Sequence, residues 1–445
     1  GNSPYQSLSS FAGNHLLIDL EELKEQALLS GAELEAFPEM PQDHVDFGRL
    51  IPEKMKSLKT ACLRFDRNHE GYRNFCREEA AWLDDYALFI SLKEAHDLRP
   101  WTEWPEEFGL RRGLDAARQD FEEEIEQVRI LQFLFYRQWT RLKTYARDRR
   151  IEIIGDIPIF VAHDSCDVWS NPDLFDLDET GRPNVMAGVP PDYFCEDGQL
   201  WGNPLYRWER HRETGYAWWI QRISKMLESV DLIRLDHFRG FEAYWEVPGG
   251  SETARHGRWV KGPGGDFFAA IREALGGLPF VAEDLGLITD EVDALRLTFD
   301  LPGMKVLQFE FGEHEEGKVY PADYPENCVV YTGTHDNDTA IGWFREPPQN
   351  QTRSLEDVEQ ERARVRDLVG TDGSDIQWDL MALAMSTPAR TSIVPLQDIL
   401  GLGSSARMNI PGHDADNWEW RYTPDQFTDT ARSRFRDLTL QHGRT

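Results

Sequence analysis

The chain has 445 residues, 40% of them hydrophobic, enough for a large domain with a substantial core. Its 48 Lys and Arg against 79 Asp and Glu leave a net charge of −31, which argues against nucleic acid or an anionic membrane surface as partner but leaves a neutral ligand unaffected. Five unpaired-looking cysteines (Cys62, Cys76, Cys166, Cys195, Cys328), no apolar run long enough to cross a membrane and no metal-ligand spacing among twelve histidines point to a cytoplasmic protein with reduced thiols, no metal and no cofactor.

Residues 1–30 begin with two polar loops and pass through Leu16-Leu17-Ile18 into a short helix that stops at Gly31. From about 52 to 150 the pattern is charged and helical, clearest over 80–92 and 116–145, with Trp104-Pro105 as a breaker between them. Phe133, Phe135, Tyr136 and Trp139 read as helix packing rather than a binding platform. This gives three segments: 1–50, a mainly helical 51–150, and 151–445.

After Ile151 strands and helices alternate. Candidate strands are 151–160, 232–235, 279–282, 304–311, 328–332 and 391–396, with helices such as 216–229, 266–275 and 355–369 between them. That is the signature of an α/β fold, and a (β/α)8 TIM barrel with helical and loop insertions is the expected architecture. A closed barrel needs eight strands; none is visible before residue 150, and the chain opens at Gly1, so the expectation is a barrel without its first two strands. The stretch 161–210, rich in Gly, Pro and aromatics, reads as one long irregular lid or binding loop. Gly401, Gly403 and Ala406 imitate a dinucleotide fingerprint, but Pro411 and Gly412 stand where its helix should run, so no nucleotide site is assigned.

The chemistry concentrates at strand ends. Leu232, Ile233 and Leu235 form a buried-strand pattern that runs into Arg234, Asp236 and His237. Arg234 and Asp236 are two apart, so on a strand they share a face, where a guanidinium keeps a carboxylate ionised. Taken alone, a structural ion pair explains this better than catalysis. Two further strands end the same way, at Glu283-Asp284 and at His335-Asp336, and carboxylates at three strand ends match the C-terminal face of a parallel barrel.

These three short stretches, 232–237, 281–286 and 334–338, resemble the nucleophile, acid/base and third-carboxylate strands of the α-amylase clan. Ser3-Pro4-Tyr5-Gln6-Ser7, 155–167, the 188–206 loop, Gly257-Arg258-Trp259-Val260, Arg407-Met408-Asn409 and Asn417-Trp418 are similar to the amylomaltases, bacterial 4-α-glucanotransferases. The resemblance covers nearly the whole chain. It implies Asp236 as nucleophile, Glu283 as general acid/base and Asp336 as transition-state stabiliser. It further implies Arg234, His335, Tyr5, Asp192, Gln199 and Trp201 as substrate-binding residues. The implied substrates are α-1,4-glucan donors and acceptors, maltodextrins with glucose among the acceptors, in a retaining double displacement. Members of that family carry a strand–helix–strand segment ahead of the Ser-Pro-Tyr-Gln loop, which agrees with the six strands counted here. The alternatives are a hydrolase of the same clan, separated by its products, and a glucan-binding fragment without turnover.

Overall fold

In the computed structural model of the chain, residues 3–191, 197–311, 321–346, 355–413 and 415–444 are described. Ten strands follow in chain order: β1 (Ile154–Pro158), β2 (Val185–Val189), β3 (Gln199–Pro204), β4 (Leu232–Asp236), β5 (Ala243–Pro248), β6 (Arg258–Lys261), β7 (Phe280–Ala282), β8 (Gly303–Val306), β9 (Cys328–Tyr331) and β10 (Thr391–Ile393). Six of them are parallel, in the order β1-β4-β7 and β8-β9-β10. The Ala282 N–H donates to the Pro302 carbonyl (2.8 Å), joining the two triplets into one arc. Helices such as Ala217–Ser229, Gly264–Leu275, Asp290–Thr298 and Ile376–Ser386 intervene, so the architecture is α/β of the barrel type. The described strands of this arc are the six located in the sequence.

The period of two along each strand sorts the side chains. Ile233, Leu235, Phe280 and Ala282 point to the helices and join the main core with Trp219, Phe241, Phe267 and Phe268. The alternate residues Leu232 and Val281 pack on the other face with Met304, Val306, Val329 and Tyr331. Further along that same face, two and four positions beyond Leu232 and two beyond Val281, stand Arg234, Asp236 and Glu283. The inner face is thus an apolar plug that gives way to charge at the carboxyl ends of the strands.

Three expectations are corrected. Residues 304–311 are not one strand: β8 ends at Val306, and Leu307–Glu310 is a helical turn that buries Leu307 and Gln308. The stretch 161–210 is not irregular throughout, because it holds β2, β3 and a helix at Cys166–Ser170. The pair escapes notice because β2 (Val-Met-Ala-Gly-Val) carries no polar alternation; it gains its partners from outside, in an antiparallel sheet ordered β3-β2-β5-β6. The helix expected over 116–145 is two, Leu114–Asp120 and Glu122–Arg147. Phe133 and Phe135 are buried in a core with Leu58, Tyr72 and Leu134, as helix packing requires.

Candidate active site

The register of the parallel strands builds the site. Asp156 on β1 lies opposite Arg234 on β4, and Arg234 lies opposite Val281 on β7. The Arg234 guanidinium is 10% exposed and bridges two carboxylates, with Nη1 2.6 Å from Asp156 Oδ2 and Nη2 2.8 Å from Asp236 Oδ1. Such a fork fixes both direction and charge. Asp156 was not among the residues singled out. Its signal was present, a lone carboxylate inside the apolar run Ile153-Ile154-Gly155-Asp156-Ile157, the same signal that identified Asp236.

Glu283 follows β7 and is held by backbone. Its Oε2 accepts from the His237 N–H (2.8 Å) and its Oε1 from the Leu285 N–H (3.1 Å). The Phe238 N–H donates to the Glu283 carbonyl (3.1 Å), and the Glu283 N–H to the Leu235 carbonyl (3.0 Å), so the ends of β4 and β7 are stitched together. To aim its N–H at Glu283, His237 takes a left-handed conformation (φ 53°), uncommon for a residue with a side chain. His237 is half-buried, and the loss of hydration lowers its pKa to about 4, so it stays neutral.

Burial raises both acids, since a charge held in a cleft loses much of its hydration. Glu283 is pushed up to about 8, by burial first and then by the Asp236 charge. Asp236 is pushed up to about 7 by burial, with Arg234 opposing and Asp156 and Asp336 adding to the rise. The side chain of Asp236 is still 22% exposed, so the cleft is open above it. The order matters more than either value. With one proton between the two, it rests on Glu283, while Arg234 favours the anion on Asp236.

Asp336 lies beyond β9 in a turn closed by Asn337, whose Oδ1 accepts from the Thr334 N–H and hydroxyl (both 2.9 Å). Asn409 donates Nδ2–H to Asp336 Oδ1 (2.6 Å), and Arg407 donates to the Asp336 carbonyl (2.6 Å). Neither was named as a site residue, although both lie in the Arg407-Met408-Asn409 stretch. Their role depends on contacts across 73 and 71 residues, which spacing does not reveal. His335 Nε2 is 3.5 Å from Asp336 Oδ2 and shares a 2.7 Å hydrogen bond with the Tyr5 hydroxyl. Trp418 packs edge-on to Tyr5 (6.1 Å between centroids) and tilted against His335 (5.5 Å). Burial, then the Asp236 and Asp336 charges, raise the Tyr5 pKa, so the phenol stays protonated.

Tyr5, Arg234, Asp236, Glu283, His335 and Asp336 therefore converge. Trp201 on β3 meets the edge of His237 (4.8 Å between centroids) and donates its indole N–H to Gln199 Oε1 (3.2 Å), which places it beside the site and Gln199 at its exposed margin. Asp192 lies outside the described residues. Among the described residues no cluster of His, Cys, Asp and Glu is placed to hold a metal ion.

A sequence profile of the family described as 4-alpha-glucanotransferase matches residues 1–427. The 4-alpha-glucanotransferases of Synechocystis sp. and Thermus thermophilus are each 47% identical to the chain, over 454 and 451 residues, covering 100% and 98% of it and 88% of each relative. Among solved structures, an amylomaltase from Streptococcus agalactiae in complex with acarbose matches with a TM-score of 0.92 at 36% identity, covering 99% of this chain and 89% of that one.

Proposed function

The chain belongs to the 4-alpha-glucanotransferase family, and from that premise we propose that Asp236, Glu283 and Asp336 carry a retaining double displacement. The reaction is transfer of α-1,4-glucan segments between maltodextrins. Asp236 attacks C1 of the donor while Glu283 protonates the departing glycosidic oxygen, leaving a glucosyl ester on Asp236 and a free reducing-end fragment. Glu283, now a carboxylate, takes the proton from an incoming 4-hydroxyl as that oxygen attacks C1 and releases Asp236. Asp336 holds sugar hydroxyls more tightly as the ring flattens. The observation that carries this reading is geometric: Arg234 Nη2 stands 2.8 Å from Asp236 Oδ1, while Glu283 accepts from the His237 and Leu285 backbone N–H groups beside it.

Arg234, His335, Tyr5, Gln199, Trp201 and Asp192 are assigned to substrate binding, with glucose among the acceptors. Residues 1–50 supply a segment carrying Tyr5, residues 51–150 a helical subdomain, and residues 151–445 the catalytic barrel, whose excursion 161–210 covers the site. Among the described residues no helix is long and apolar enough to cross a membrane. The free thiols of Cys62, Cys76, Cys166 and Cys328 support a cytoplasmic setting.

Incubation with maltotriose, with products resolved by chromatography and Asp236→Ala as control, tests the assignment. Glucose together with maltopentaose and longer chains, absent from the Asp236→Ala reaction, is the expected result. Equal product formation by the Asp236→Ala protein would remove Asp236 from the chemistry.

A further inference from the structure

Tyr5 reaches the site from a segment that belongs to neither the barrel strands nor the long helices, and that segment is gripped from both sides. From the barrel, the Cys166 N–H donates to the Leu8 carbonyl (2.8 Å) and the buried carboxylate of Asp167 accepts from the Ser10 N–H (2.7 Å). From helix Glu122–Arg147, the amide of Gln132 closes on Gly13 twice. Its Oε1 accepts from the Gly13 N–H (2.8 Å) and its Nε2 donates to the Gly13 carbonyl (3.0 Å), as a neighbouring strand would. Tyr136 donates its hydroxyl to the Phe11 carbonyl. Gln138 repeats the amide pairing at Asp19 (2.7 and 3.3 Å). The approach is close: a Cβ built on Gly13 would stand 1.9 Å from Phe135 Cδ1, so only glycine lets the backbone lie on the helix.

Gln132 is 1% exposed and Asp167 3%, and a buried amide or carboxylate is retained only where its partners satisfy it. The chain spans at most about 3.5 Å per residue, so fixing Leu8 and Ser10 holds Tyr5 on a tether of three to five residues. Tyr5 in turn holds His335, the neighbour of Asp336.

We propose that Asp167 and Gln132 are positioning residues for Tyr5, so that the barrel through Asp167 and the helical segment through Gln132 set the geometry at the sugar-binding end of the site without touching substrate. The proposal rests on the reading that Tyr5 contacts substrate.

The test is a double-mutant cycle on the full chain, measuring transfer from maltotriose with thermal unfolding of every variant. Asp167→Ala is expected to lower kcat/KM about tenfold and Gln132→Met about threefold, the latter a near-constant-volume change that keeps the helix. Asp167→Asn, which retains an acceptor for the Ser10 N–H, should recover most of the loss. In a Tyr5→Ala background the same substitutions should change kcat/KM by less than about twofold, because the residue they act through is gone. Equal losses with and without Tyr5, or losses that track the unfolded fraction, overturn the proposal. A Tyr5→Ala enzyme as active as the parent would instead overturn the assignment of Tyr5 to substrate binding, and the proposal with it.

Discussion

Arg234 Nη2 lies 2.8 Å from Asp236 Oδ1, and the other arm of the same guanidinium is held 2.6 Å from Asp156. Asp236, the proposed nucleophile, is thus held through Arg234 by Asp156 on the adjacent strand.

Asp156→Asn keeps the shape of that partner but removes its charge and weakens its hold on Arg234. Charge-assisted bonds contribute about 1.5–3 kcal/mol, so kcat for transfer should fall about 10- to 100-fold. Asp236 also loses a repelling neighbour, so the acid arm of its pH profile should move down. A variant within twofold of the parent would show that Asp156 does not orient Arg234.

The proposed roles of Glu283 and Asp236 set the expected pH dependence. Glu283 acts as an acid only while protonated, so kcat/KM should decline as pH rises through about 8. Asp236 attacks only when ionised, so the rate should also decline as pH falls below about 7. Both arms belong to the pair rather than to single residues. A rate profile from pH 5 to 9 checks this, and a rate that keeps rising to pH 9 would contradict the raised acid.

Asn409 donates to Asp336 Oδ1 at 2.6 Å. Asn409→Asp puts a second carboxylate against it, favouring a proton on Asp336 and removing the donor that orients it. We expect kcat to fall by more than about 100-fold, and Asn409→Ala to fall by less, since it deletes the bond without adding charge. The two variants assayed side by side decide this; Asn409→Asp as active as Asn409→Ala would place no demand for charge on Asp336.

Trp201 meets the edge of His237, whose N–H is bonded to Glu283. Trp201→Ala opens the cleft at that point, letting water compete with the acceptor for the glucosyl ester. Glucose released by hydrolysis, relative to transfer products, should rise several-fold. An unchanged ratio would assign water exclusion to other residues.

The strands were legible because local pattern and tertiary role agree. Leu232, Ile233 and Leu235 form an apolar run in the sequence, and burial on both faces of a parallel strand demands one. The carboxylates after 232, 280 and 328 stood out for the same reason, as charges against apolar strands. Residues 185–204 were opaque because β2 is fixed by pairing with β5, more than 50 residues away, and β3 by pairing with β2, and neither carries a clear period of its own.

The sequence alone determined the class of fold, the six parallel strands and the three strand-end carboxylates, because hydrophobic period and charge placement are local properties that burial enforces residue by residue. Only the tertiary structure decided that Glu283 and Asp236 meet in one cleft, which carboxylate orients Arg234, that Asn409 holds Asp336, and that Asp167 and Gln132 fasten the segment carrying Tyr5. Those depend on distances between residues far apart in the chain, and a buried charge or amide takes its meaning from the partner that folding brings to it.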